Sequence, residues 1–423
     1  MQMVHITNSI CASNKTSERP ETIAIKTNGE RVIDISIASI KNILNTYPDE
    51  CHIDRPVFTN ALSSRELAFS DLQSEAETLM IPWQLFFLEE EKLDKTIHKL
   101  NKKRKSKFDK KFLANRNSST GNGVSLRIVD RIIALQEFAH NQVHEKNVFC
   151  GSLKCLAHDK WAEKIIDFFE IDSKILCKGP KGKILDKLIA CVEAKNIRVA
   201  RGVFDSNNKI LPVAKTVRQI YQKSSGFVVQ DEKVPYVFLP NELNSRETAG
   251  RQILTLLVLL ILIGNDQYDI ALTGELELSI TSTRGLQQAF SVATEILLPF
   301  SVTDAYRTNL IDSDIIEALS EQYILTPSAI IITLWQRGLL RNDDHKQELL
   351  DNMNVPLSTT GTKDFRRPAN IDTAIKKWCG SATTRDIVQA INSKILSPIE
   401  AQYLIFGRVD KSRYAKFKAK FNI

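Results

Sequence analysis

The chain of 423 residues has no apolar run long enough to cross a bilayer. Its longest strictly apolar stretch, Leu256 to Ile263, is eight residues, and tolerating Thr255 carries it back only to Ile253. A bilayer-spanning helix needs about twenty. The N-terminus lacks the apolar core of a secretory signal. Together these absences predict a cytoplasmic protein. Cysteine is sparse and odd in number, seven scattered residues, which argues against a disulfide framework and for free thiols. Histidine is missing from the whole stretch between His158 and His345. There is no internal repeat and no low-complexity tract.

What is present is a soluble globular composition, 43% hydrophobic and 25% charged, enough for two or three domains. The net charge is 57 − 50 = +7. Between Lys92 and Lys111 there are ten Lys or Arg against two Asp, a local +8, so the rest of the chain sums to −1. Such a concentration attracts phosphate backbones or an acidic partner. The residues expected to carry that contact are Lys99, Lys102, Lys103, Arg104, Lys105, Lys107, Lys110 and Lys111. A solvated helix or linker explains the same run equally well. Only Phe108 and Phe112 accompany the lysines, so stacking of single-stranded bases is not indicated.

Along the chain, residues 1 to 30 read as a polar, frayed start. Helical spacing at Ile33, Ile37, Ile40 and Ile43, and again from Leu72 to Met80, predicts a small helical unit of about ninety residues. Asn115 to Gly123 has the composition of a loop. Ser125 to Gln142 fits a helix. A second compact unit is expected to start at Trp161, with helices around Ile165 and Leu188 and a short strand at Ile197 to Ala200. Gly226–Val229 and Val234–Leu239 fit a hairpin joined by Gln230 to Lys233. A long helix is expected from about Asn244, with Asn244 or Ser245 as its cap, to a stop at Gly264. Further helices fit Gly285 to Leu298, Ser313 to Glu321 and Pro327 to Arg337. The tail from Lys346 reads as linker plus two or three short helices.

Five segments, in order, resemble the ImmA/IrrE metallopeptidase-like family, in particular its long members with an N-terminal helix-turn-helix-like unit of the XRE type. Phe69 to Ala76 through Ile81–Leu88 is similar to the end of that N-terminal unit. Tyr236 to Thr255 resembles the strand, turn and helix start that lead into the family's zinc motif. Gln287 to Pro299 is similar to the family's next helix, with its Glu-Leu-Leu-x-Pro-like end. Ile315 to Leu340 resembles the closing helical hairpin, and Glu400 to Gly407 the C-terminal helices. The resemblance implies an α+β, predominantly helical fold: a zincin-like domain with a small hairpin or sheet, flanked by helical units. The boundaries it suggests are 1–91, 92–160 (basic linker and connecting helix), 161–345 (peptidase-like) and 346–423.

Active members place His-Glu-x-x-His on the helix after the hairpin: two histidines one helical turn apart hold zinc, and the glutamate between them is base to the bound water. In this register Leu256 and Leu260 stand where the histidines belong, and Leu257 where the base belongs. The third ligand, an acid on the next helix, falls at Gln288, or at Gln287 one position earlier. A neutral amide is a poor zinc ligand beside a carboxylate. The resemblance therefore implies a pseudo-peptidase with no metal, no cofactor and no catalysis. The same leucines would also suit a core helix of an unrelated fold. His140, His144, Cys150, Cys155 and His158 are the other candidate metal ligands, but Cys150-x4-Cys155-x2-His158 is not a common zinc spacing, and scattered residues are the better reading. Gly179-Pro-Lys-Gly182 lacks the spacing of a phosphate loop and reads as a turn.

The functional expectation is a non-catalytic regulatory protein that binds a protein partner, as an antitoxin beside a PIN-like ribonuclease or as a phage or mobile-element factor beside a repressor. The alternative is a DNA-binding transcription regulator with an inactive sensor domain. Against direct reading of bases, the N-terminal candidates Thr59, Asn60, Ser63, Ser64 and Arg65 include only one basic side chain. An active hydrolase with a displaced site is a third reading, which bound zinc would revive.

Overall fold

The structure is a computed structural model that describes residues 21–46, 56–79, 83–111, 126–172, 176, 180–203, 224–241, 248–268, 270–272, 284–307, 310–353, 371–407 and 409–423. Compactness divides the chain once, into residues 1–100 and 101–423. Helix predominates, with two small sheets.

The first unit is α+β, where the isoleucine spacing predicts helices alone. Strands β1 (Thr22–Thr27) and β2 (Glu30–Ser36) form an antiparallel hairpin, and β3 (Glu66–Ala68) adds parallel to β1. Asn28 and Gly29, at φ +53° and +86°, make its turn. Two successive positive φ angles suit the right-handed twist of a tight hairpin, and Asn-Gly adopts them at low cost. Part of the stretch expected to be frayed is thus a central strand. Helices α1 (Ile37–Thr46), α2 (Pro56–Ser64) and α3 (Phe69–Leu79) and a 3-10 turn at Trp83–Phe87 complete the layer. Ile23, Ile25, Ile35, Ile40 and Phe86 meet in its core. Helix α4 (Glu90–Lys111) occupies the segment expected to be a basic linker, and it anchors its start through buried Leu93 and Ile97.

The second unit is built on the sheet order β4-β6-β5-β7, from β4 (Arg198–Val203), β5 (Ser224–Val229), β6 (Tyr236–Asn241) and β7 (Ile270–Leu272). β4 runs parallel to β6, and the expected β5–β6 hairpin is antiparallel, with Phe227 opposite Phe238 and Val228 opposite Val237. Its helices are α5 (Leu126–Gln142), α6 (Trp161–Phe168), α7 (Lys181–Ala194), α8 (Thr248–Gly264), α9 (Arg284–Leu297), α10 (Phe300–Asp304), α11 (Ser313–Gln322), α12 (Pro327–Gln336), α13 (Asp343–Met353), α14 (Ile371–Cys379), α15 (Ser381–Asn392), α16 (Pro398–Phe406) and α17 (Lys411–Phe421). The caps expected at Asn244 and Ser245, and the loop at Asn115 to Gly123, lie outside the described residues.

Both faces of this sheet are buried, because consecutive apolar residues send side chains alternately to its two sides. Val199, Val228, Val237 and Leu239 face a core shared with α8. Ala200, Phe227, Val229, Tyr236 and Phe238 face a second core, which α5 and the C-terminal helices close with Ile132, Trp378, Ile387, Ile405 and Phe417. The tail is therefore part of the sheet's packing and holds more helices than the two or three expected. The compact unit also begins before Trp161, since Phe149 and Leu153 already lie in the first core. No single helix among the described residues is long and apolar enough to cross a membrane.

Candidate functional site

The positions where the family's zinc motif would stand lie on α8. The helix is apolar on all sides: from Ile253 to Ile263 only Thr255 interrupts the aliphatic side chains, and each residue is at most 6% exposed. Its geometry depends on two glycines. At Gly226 of β5, a Cβ would stand 2.7 Å from the Phe238 carbonyl oxygen and 3.1 Å from Thr255 Cγ2, so the missing side chain lets the sheet lie directly on the helix. At Gly264 a Cβ would stand 2.6 Å from Leu153 Cδ1. There the Leu153 N–H donates to the Gly264 carbonyl at 2.8 Å and the Gly151 N–H to the Ile263 carbonyl at 3.1 Å, satisfying helix-end acceptors that would otherwise be orphaned. The stop read from Gly264 thus has a local physical cause.

Leu256, Leu257 and Leu260 are all 0% exposed and all belong to the core between α8, the sheet and the surrounding helices. α9 packs along α8, and its Ala289, Phe290, Val292 and Ala293 join the same core. Gln288 is half-buried and Gln287 exposed. An aliphatic side chain has no lone pair, so at these three positions there is no group to ligate a metal or accept a proton. Each instead contributes roughly 2 kcal/mol of apolar burial.

The alternative metal cluster does not assemble. Among the described residues no three of His, Cys, Asp and Glu are grouped to hold an ion. His140 Nδ1 lies 2.9 Å from both oxygens of Asp231, whose Oδ1 also accepts from the Lys233 and Val234 backbone N–H groups at 2.9 Å, fixing the β5–β6 turn. His158 packs on Trp161 with ring centroids 4.8 Å apart. Cys150 Sγ lies 3.8 Å from the Asp231 carbonyl oxygen. Burial pushes its thiol up to about 11, so it stays protonated near neutrality. Residues 181–182 of the glycine-proline segment open α7, with Pro180 as its cap.

Of the basic segment, Lys99 and Lys102 are exposed on α4; for Lys103, Arg104, Lys105, Lys107, Lys110 and Lys111 the helical backbone alone is described. Among the N-terminal candidates, Arg65 sits at φ +57° and pairs with Glu21 at 3.2 Å.

Sequence reading misses a buried polar seam between the sheet and the C-terminal helices. Arg198, 7% exposed in its side chain, pairs with Asp386 at 2.8 Å. Glu193 Oε2 accepts the Ala382 N–H at 3.1 Å, and burial raises the acid's pKa. The Tyr236 hydroxyl donates to the Cys379 carbonyl and lies 3.1 Å from Thr383 Oγ1. Arg131 donates to the carbonyls of Tyr403 and Leu404. These partners are up to 273 residues apart, so no local pattern announces them.

Comparison with protein-family models, with curated proteins and with solved structures finds no match.

Proposed function

We propose that this chain is a diverged, non-catalytic protein of the ImmA/IrrE type that regulates by holding a protein partner in the cytoplasm. The observation that carries the reading is the complete burial of Leu256, Leu257 and Leu260 on the helix that follows the hairpin. The order hairpin, apolar helix, second helix, closing helical pair supports a zincin-like domain in that register. Filling a metal cavity with leucine removes ligand and base together, while the surrounding surface remains free to bind. The partner class is a small toxin, such as a PIN-like ribonuclease, or a repressor; metal and cofactor play no part.

The test has two arms. The full chain, purified with zinc present, is to hold no stoichiometric zinc. It is also to leave intact a repressor or ribonuclease encoded beside it while binding that protein. One zinc per chain, or cleavage that a chelator stops, overturns the reading.

A second reading, a DNA-binding regulator with an inactive sensor domain, draws on the exposure of Lys99 and Lys102 on α4. It requires binding to the protein's own promoter that is lost when those lysines and their neighbours through Lys111 are neutralised. Unchanged promoter binding by the neutralised variant contradicts it.

A further inference from the structure

The sum of −1 outside Lys92–Lys111 conceals a second concentration of positive charge. Helix α17 (Lys411–Phe421) carries five Lys or Arg and no carboxylate. Tyr414 and Phe417 are buried in the second core, which orients the helix. Lys411, Lys416, Lys418 and Lys420 are exposed. Arg413 pairs with Asp410, the helix cap, at 3.5 Å; among the described residues no such acid stands beside the four lysines. Lys376 of α14, also exposed, lies 5.6 Å from the Phe421 ring.

At about 100° per residue the outward crest of α17 falls on Ser412, Ala415 and Ala419, all exposed. Lys411 and Lys418 flank the crest on one side, Lys416 and Lys420 on the other. A narrow ridge between two rows of cations is complementary to a groove between two rows of anions. We propose that α17 docks in the major groove of double-stranded DNA, its small crest entering the groove and its lysines reaching the phosphates on either wall. The dimensions agree: a helix is about 10–12 Å across with its side chains, and the groove is about 12 Å wide. The deep, narrow major groove of an RNA duplex does not admit it. Ser412 alone on the crest can bond a base edge, so the contact is sequence-independent. The aromatics of α17 that could stack on a single strand, Tyr414, Phe417 and Phe421, pack against the second core. This inference does not depend on the fate of the leucine helix.

The test is fluorescence anisotropy of a labelled random-sequence DNA duplex with the full chain across a salt series. The wild type is to bind with a steep salt dependence. Lys411, Lys416, Lys418 and Lys420→Gln together are to weaken binding roughly tenfold or more and to flatten the log–log salt slope by about 3. A charge-matched control, Lys160, Lys164, Lys183 and Lys187→Gln, is to keep wild-type affinity within about threefold. Ala415→Phe with Ala419→Phe changes no charge, meets only solvent, and is to weaken duplex binding by blocking the groove. Circular dichroism checks that each variant is folded. Equal losses in the lysine set and its control, unchanged binding by the crest variant, or competition by RNA duplex or polyglutamate as effective as by DNA would overturn the proposal.

Discussion

The Arg198 guanidinium on β4 lies 2.8 Å from the Asp386 carboxylate on α15, tying the sheet to a helix 188 residues later in the chain. Arg198 is nearly enclosed and Asp386 about a quarter exposed. Removing the acid leaves a cation where water reaches it poorly. Asp386→Ala is expected to cost up to about 3 kcal/mol, less than for a fully enclosed pair because Asp386 is itself partly wet. Denaturant unfolding measures it. A loss near zero would mean that the seam does not hold the C-terminal helices.

Glu193 gives the same seam a pH dependence. Its folded pKa is raised, first by burial, against the weaker opposing pull of the Ala382 N–H and of Arg198. A raised pKa means that the folded state favours the protonated acid. Its stabilising contribution is therefore present at acidic pH and is lost as pH climbs through the raised value. Glu193→Gln keeps an acceptor for the Ala382 N–H and abolishes the titration. Its melting temperature should exceed that of the wild type at alkaline pH, with the gain shrinking on acidification. A gain that grows with acidity contradicts the assignment.

Tyr236→Phe removes only the hydroxyl that serves the Cys379 carbonyl and Thr383. The expected cost is about 1–2 kcal/mol, because the Cys379 carbonyl is left without that donor in a dry core. Hydrogen exchange should quicken first in α14 and α15, where those partners sit, rather than in α8.

Gly226 and Gly264 predict unequal penalties. At Gly264 an added methyl meets the side chains of Leu153 and Phe149, which must shift at a cost of about 1–3 kcal/mol. At Gly226 it meets the backbone oxygen of Phe238, and φ is +156°, so neither the contact nor the conformation can relax. Gly226→Ala should be the more destabilising of the two by thermal melting. The reverse order would show that the sheet can lift from α8.

The sequence discloses the second unit better than the first. In β6 the run Tyr236-Val-Phe-Leu239 is apolar at every position, which already requires cover on both faces of the sheet. What covers the Tyr236 face could not be read, because Trp378, Ile405 and Phe417 come from far along the chain. In the first unit the isoleucines satisfy two periods at once. Ile33 and Ile37 are a helical turn apart, while Ile33 and Ile35 alternate as in a strand, and the strand prevails because β1 supplies the partner. Asn28-Gly29 was the available signal for that hairpin. At the candidate site a run apolar on every side requires burial whatever the fold, and Leu256, Leu257 and Leu260 are fully buried. Charge was legible as a sum over α4, but the lysines of α17 become a surface only once Tyr414 and Phe417 fix its inward face.

Zinc titration of two proteins, the wild type and a variant with Leu256→His, Leu257→Glu, Leu260→His and Gln288→Glu, bears most directly on whether α8 is a former metal helix. The wild type is expected to bind no stoichiometric zinc, and the folded variant one zinc per chain. Zinc held tightly by the wild type, or a folded variant that binds none, would contradict that origin.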